Sequence, residues 1–182
     1  MKKSLRKGKY GDRNVLLFLI GNNTAYRISD LRKLKLSDVL EREKEDIEVK
    51  ECLSLIEQKT GKYNLVILFE RLKTDIEKYV KTNFSHYLSK GELEHYLFLS
   101  GKGQPMNRQT LWSILNKAAK ENNIPNAGNH SMRKTFGYFL YKNNVPIEII
   151  QEPLNHSSQR DTSRYIGITQ EDKDLAVMNL DL

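Results

Sequence analysis

The sequence predicts an α+β fold, mainly α-helical with a small antiparallel β-sheet, and three observations carry that prediction. Apolar residues recur at helical spacing through most of the chain, as in Leu72, Ile76 and Val80 or Met132, Phe136 and Leu140. Residues 47–69 change period, with Ile47, Val49, Leu53 and Leu55 alternating with polar neighbours as a half-buried strand requires. The chain also lacks internal repeats, low-complexity tracts and Pro/Gly/Ser-rich linkers, so its 182 residues are expected to share one core.

The elements follow in order. Asp12 is placed to cap a helix through Val15 to Ile20, apolar on all sides and therefore interior. Gly21-Asn22-Asn23 is expected to end it, and Thr24 to cap a second helix with Ile28, Leu31 and Leu34 on its apolar line. A Thr60-Gly61 turn then joins the alternating segment to the run Leu65-Val66-Ile67-Leu68, which places Lys59 at a hairpin. Helices resume at Leu72, and again after a cap at Asn107, with Leu111, Ile114, Leu115 and Ala118 on one face. Pro146 suits a first helical position. Pro153 is expected to stop or kink that helix before the stretch LNHSSQRDTSRY.

Composition narrows the function classes. A net charge of +7 tilts the expectation toward a polyanionic partner, because clustered Lys and Arg displace counterions from a phosphate backbone. Cys52 is the only cysteine, which excludes an internal disulfide and a cysteine metal cluster; it is read as a buried, inert thiol in a reducing, cytosolic setting. The basic start followed by VLLFLIG imitates a signal peptide but leads into NNTAYRISD with no small-residue cleavage site. No segment approaches the roughly 20 apolar residues of a membrane span.

The polar residues suggest one reaction. His130 and Arg133, three apart, share a face at a helix N-terminus, where free N–H groups and the dipole favour an anion. Arg27 stands at another helix start, His156 follows Arg133 by 23 residues, and Tyr165 follows His156 by nine. Two guanidinium forks suit the non-bridging oxygens of a phosphodiester and the charge of its five-coordinate transition state. A phenol is a competent nucleophile on phosphorus once a base or a positive field offsets its ordinary pKa near 10. Lys59 would protonate a departing 5′ oxygen. This set requires no metal or other cofactor, and the chain carries no Walker-type glycine loop. Singly each residue has a blander reading as a packed tyrosine, a structural histidine or a surface arginine; the conjunction is what is specific.

TAYRISDLRKLKLSDV resembles the first conserved box of the tyrosine recombinases, or phage integrases, and EQKTGKYNLVIL is similar to the hairpin carrying that family's lysine. HSMRKTFGYFLYKNNVPIEIIQEPLNHSSQRDTSRY resembles the second box: H-x-x-R, then L-x-H-S-S, then the tyrosine. YLFLSGKGQPMNRQTLWSILNKAAKENNI matches the segment between, so that the likeness runs from about residue 12 to residue 168. The resemblance implies a catalytic-domain fold in which Arg27 and Arg133 clamp the scissile phosphate, Lys59 is the general acid, His130 assists as base, His156 bonds a non-bridging oxygen and Tyr165 is the nucleophile. Asp30 would orient the site. Ala25-Tyr26 replaces a frequent glycine and should stiffen its turn; Asn155 stands where glycine is common and tolerates the same left-handed geometry.

By the same resemblance the function is site-specific recombination or integration through a 3′-phosphotyrosyl intermediate. The partner is double-stranded DNA, with a tetramer in synapsis, a monomer when free, and a cytoplasmic, nucleoid-associated location. A non-catalytic DNA-binding protein on this scaffold and a type IB topoisomerase-like enzyme are the rivals. Residues 1–11 are expected as a basic tail or linker stub and 12–182 as the catalytic domain. The tail from 168 holds Leu175, Val177, Met178 and Leu180, which either dock on a neighbouring protomer or fold back on the core.

Overall fold

The computed structural model describes residues 1–43, 46–125, 127–128 and 130–178. The first helix, α1 (Lys2–Leu5), is a single turn whose Leu5 is buried in the main core while Lys2 and Lys3 face water. The segment expected as a tail or stub is thus packed down by Leu5, with Met1 against the same core, and Asn122 donates to the Ser4 hydroxyl at 2.8 Å beside it.

Helix α2 (Gly11–Asn23) is the interior helix that the apolar run predicts, with Val15, Leu16, Leu17 and Ile20 buried. Asp12 lies in its first turn without a capping bond, and Gly21-Asn22-Asn23 complete the helix instead of ending it. The end is made by side chains: Asn22, Asn23 and Thr24 donate back to the carbonyls of Phe18, Leu19 and Ile20 at 2.7, 2.7 and 2.8 Å. Thr24 is therefore committed, and the N-cap position of α3 (Ile28–Leu31) falls to Arg27.

After α4 (Leu36–Val39) comes a strand that no alternation announces, β1 (Leu40–Glu43), exposed at every position after Leu40. It pairs antiparallel with β2 (Asp46–Val49), and β3 (Cys52–Ile56) pairs antiparallel with β4 (Tyr63–Ile67), Leu53 facing Val66. The single small sheet expected over 47–69 is therefore two two-stranded sheets. The chain changes partner between Lys50, whose N–H bonds the Val39 carbonyl, and Glu51, whose carbonyl accepts from Leu68. Cys52 is half-buried rather than buried.

The remaining elements are helical. Helix α5 (Glu70–Ser89) buries Leu72, Ile76, Tyr79, Val80 and Phe84. Helix α6 (Arg108–Lys120) has the expected cap, Asn107 accepting from the Thr110 N–H at 2.7 Å. Then follow α7 (Ser131–Lys142), α8 (Ile147–Leu154), α9 (Gln159–Ile166) and α10 (Gln170–Met178). Pro146 is the N-cap of α8 rather than its first residue, and Pro153 sits next to last in it; the helix closes at Asn155, left-handed at φ 53°. On α10, Leu175, Val177 and Met178 are exposed, and Leu180 lies outside the described residues.

Two apolar clusters result. The larger joins α2 through α6 with Leu5, Leu97 and Phe98; the smaller joins Ala25, Ile150, Leu154 and Ile166, with Phe136, Leu140 and Tyr165 packed against it. Helix α7 is the wall between them, and two glycines let it approach its neighbours. A Cβ on Gly21 would lie 2.5 Å from the Met132 sulfur, and one on Gly137 would lie 2.6 Å from Ile166 Cγ2. Among the described residues no helix is long and apolar enough to cross a membrane.

Candidate active site

The loop before α3 sets Arg27. Ala25 is fully buried with φ 56°, a left-handed conformation that costs a residue with a Cβ about 1–2 kcal/mol. Tyr26 holds the loop there: its buried hydroxyl lies 2.6 Å from the Leu53 carbonyl and 3.1 Å from that of Asn64, which fastens the loop to β3 and β4. From this base the Arg27 side chain meets Glu57, Nη1 against Oε2 in an ion pair.

Glu57 lies between β3 and the hairpin turn and is wholly buried. Its Oε1 accepts from Arg133 Nη1 at 3.1 Å, and its Oε2 also accepts from Thr60 Oγ1 at 2.7 Å and Asn155 Nδ2 at 2.8 Å. Burial alone would raise this carboxyl's pKa; the Arg27 pair with the bonds from Thr60, Asn155 and Arg133 outweighs it and holds the group down at about 2. One carboxylate thus keeps two guanidinium groups together.

Arg133, in the first turn of α7, is 3% exposed. Its Nη1 donates to the Ala25 carbonyl at 2.5 Å as well as to Glu57, and its Nη2 donates to the Leu154 carbonyl. None of these three bonds uses its Nε–H edge. Asp30, the acidic neighbour of Arg27, is also buried; it accepts from the Gln58 N–H at 3.4 Å, and burial raises its pKa.

Tyr165 stands in the last turn of α9 beside both histidines. Its hydroxyl lies 3.3 Å from His130 Nδ1, and its ring meets His156 edge to face at 4.7 Å between centroids. Burial pushes the phenol pKa up, and Arg133 and Arg27 pull it down without overcoming burial. The pKa values of both histidines fall, first through burial and then through the neighbouring Arg133, so neutral imidazoles are favoured. His156 occupies the turn after α8 rather than a helix, its Nδ1 3.2 Å from Thr162 Oγ1. Lys59, exposed on the hairpin, completes the set by lining a cavity of about 210 Å³ with Arg27, Ser29, Arg108 and His130.

The fold therefore brings all six expected residues, from five separate segments, around one place. Two members were not foreseen. Glu57 sits two residues before Lys59, where a carboxylate reads as a surface partner of the lysine, and nothing in IEQKTG signals its burial. Arg108 opens α6 like any helix-start cation, and only the fold turns it toward His130.

The model of the phage integrase family matches residues 2–172. The probable integrase/recombinase YoeC of Bacillus subtilis is 36% identical over 160 residues, covering 87% of this chain and 80% of the relative. The tyrosine recombinase XerD of Chlamydia pneumoniae is 28% identical over 168 residues, covering 92% of this chain and 52% of the relative, so the chain spans about half of that protein's length. Among solved structures, the XerH site-specific recombinase in a post-cleavage complex with palindromic difH substrate superposes with a TM-score of 0.73 at 22% identity, over 97% of this chain and 49% of that one. The XerA recombinase reaches 0.73 at 20% identity, over 100% and 63%. At these identities the structural likeness establishes the fold.

Proposed function

Because the chain belongs to the phage integrase family, we propose that it is a DNA strand-transfer domain that cuts and rejoins duplex DNA through a 3′-phosphotyrosine at Tyr165. The observation that carries this reading is the cage of Arg27 and Arg133 on Glu57 with the Tyr165 hydroxyl 3.3 Å from His130. In the reaction a scissile phosphate lies against the open edges of the two guanidinium groups. The phenol oxygen attacks phosphorus, its proton passes to neutral His130, and the 5′ oxygen leaves with a proton from Lys59. His156 steadies a non-bridging oxygen. The bond broken and the bond formed are both phosphodiesters, so the reverse attack by a 5′ hydroxyl rejoins the strand and releases the tyrosine.

The lowered pKa of His130 suits a proton acceptor, and the raised pKa of Tyr165 makes one necessary before attack at neutral pH. Duplex DNA as the partner is supported by the net charge of +7 and by the XerH relative having been solved on its DNA site. Recombination between two sites would assemble four protomers, and work on chromosomal DNA places the protein at the nucleoid in the cytoplasm.

The test is covalent capture. The protein is mixed with fragmented host and mobile-element DNA and denatured in detergent, and protein-linked 3′ ends are sequenced, with Tyr165→Phe in parallel. Linked ends that disappear in the variant are expected, a loss of at least 100-fold. DNA binding without Tyr165-dependent linkage would instead leave a non-catalytic binder.

A further inference from the structure

Four of the segments that make the site are far apart in sequence, and one side chain touches all four. Glu57 meets Arg27 at the start of α3, Arg133 on α7, Thr60 beside Lys59 on the hairpin, and Asn155 beside His156 in the turn after α8. Asn155 Nδ2 also reaches Thr60 Oγ1 at 3.1 Å, which joins the two outer segments directly. Like-charged guanidinium groups held this close repel each other, and burial first and the Arg27 charge second lower the pKa of Arg133. A buried carboxylate between them removes that repulsion while no phosphate is present.

We propose that Glu57 is a positioning residue for the strand-transfer reaction: its carboxylate preassembles the two-arginine clamp and locks the Lys59 hairpin to the His156 turn before DNA arrives. This rests on the phosphotransfer reading above, although the locking itself does not depend on it. Glu57 touches no substrate; it acts by fixing donors whose open edges would face the phosphate, the arrangement that electrostatic preorganisation requires. Because it also offsets one of the two guanidinium charges, its removal has two opposite effects. The clamp attracts a phosphate more strongly, and it holds that phosphate less accurately.

The experiment compares wild type with Glu57→Gln. Covalent linkage to the same fragmented DNA is followed in single turnover across pH, DNA affinity is measured separately, and amide hydrogen exchange is recorded without DNA. The expected result is affinity unchanged or up to about tenfold tighter, a linkage rate per bound complex at least tenfold lower, and an acid limb of the rate profile moved to lower pH as the net field on Tyr165 becomes more positive. Exchange should rise together at residues 57–62 and 155–158, with α2 and α5 unaffected.

A folded Glu57→Gln protein that links DNA within twofold of wild type per bound complex overturns the proposal. So does exchange that stays at wild-type level in both segments, whatever the linkage assay gives. If wild type forms no Tyr165-dependent adduct, the phosphotransfer reading fails and the exchange result alone decides the lock. Should Glu57→Gln not fold, Thr60→Val, which removes one donor at an exposed turn, takes its place: a threefold slower linkage with raised exchange at 155–158 supports the lock, and wild-type values for both overturn it.

Discussion

The larger and smaller cores are built from similar side chains but hold different halves of the site. The larger one seats Ile28 and Leu31 behind Arg27, and Leu53 and Leu68 behind the hairpin of Glu57 and Lys59. The smaller one, Ile150, Leu154, Ile166 and Ala25, carries the His156 turn and Tyr165, with half-exposed side chains around its rim. Arg133 stands between them on α7, one residue from Met132 of the larger core and bonded to the Leu154 carbonyl of the smaller. The difference teaches where motion is cheap. A small cluster opens at lower free energy than a large one, so Tyr165 and the His156 turn ride on the part that opens first, while Arg27 and the Glu57 hairpin rest on the larger core.

Truncation should separate the two most strongly. Leu31 and Leu154 are both fully buried. Leu31→Ala should cost about 4 kcal/mol of global stability by urea unfolding, since its neighbours are too many to collapse onto the void. Leu154→Ala should cost about 2–3 kcal/mol and raise exchange in α8 and α9 ahead of α2 and α5. Uniform loss of protection in Leu154→Ala would mean that the molecule unfolds as one unit, and the contrast between the cores would not hold.

Acid should act on the seam between them. The Glu57 carboxyl is held at about 2 in the fold against an ordinary 4.5, a depressed value. Its contribution is therefore complete above pH 4.5 and is lost as pH falls toward 2, on the order of 3 kcal/mol in all. His130 and His156 are depressed too, so the unfolded chain takes up their protons first and stability starts to fall below pH 6.5. Urea midpoints from pH 7 to 3 should decline in both ranges, and Glu57→Gln should flatten only the lower one.

The smallest effect is expected at Ala25→Gly. Relief of the left-handed strain, about 1–2 kcal/mol, opposes the loss of a buried methyl, about 0.8 kcal/mol, and glycine's greater unfolded freedom, about 0.5–1 kcal/mol. Thermal unfolding should therefore place the variant within about 1 kcal/mol of wild type. A loss beyond 2 kcal/mol would show that the Ala25 methyl is a keystone of the smaller core.

Much of this was legible because it is local. Helical periodicity located α2, α5, α6 and α7, and the Asn107 cap and the left-handed Asn155 follow from side-chain size and backbone reach. The features that were misread depend on partners elsewhere. Strand β1 is charged at every position after Leu40 and exists only because Asp46–Val49 lies beside it. Thr24 was expected to begin a helix and closes one, its hydroxyl donating back to the Ile20 carbonyl at 2.8 Å instead of accepting from an N–H ahead of it.

The sequence by itself determined which functional groups were present and in what order: two arginines, two histidines, a lysine and a tyrosine, the set that the proposed attack on a phosphodiester would use. Order along the chain carries that information because each segment forms its helix start or turn from its own residues. Only the tertiary structure decided how the charges are balanced. Glu57 and Arg133 are 76 positions apart, and Asn155 is 98 from the same carboxylate. No periodicity reaches that far; burial brings those groups out of water, and an ionised group out of water must find its partners wherever the fold has put them.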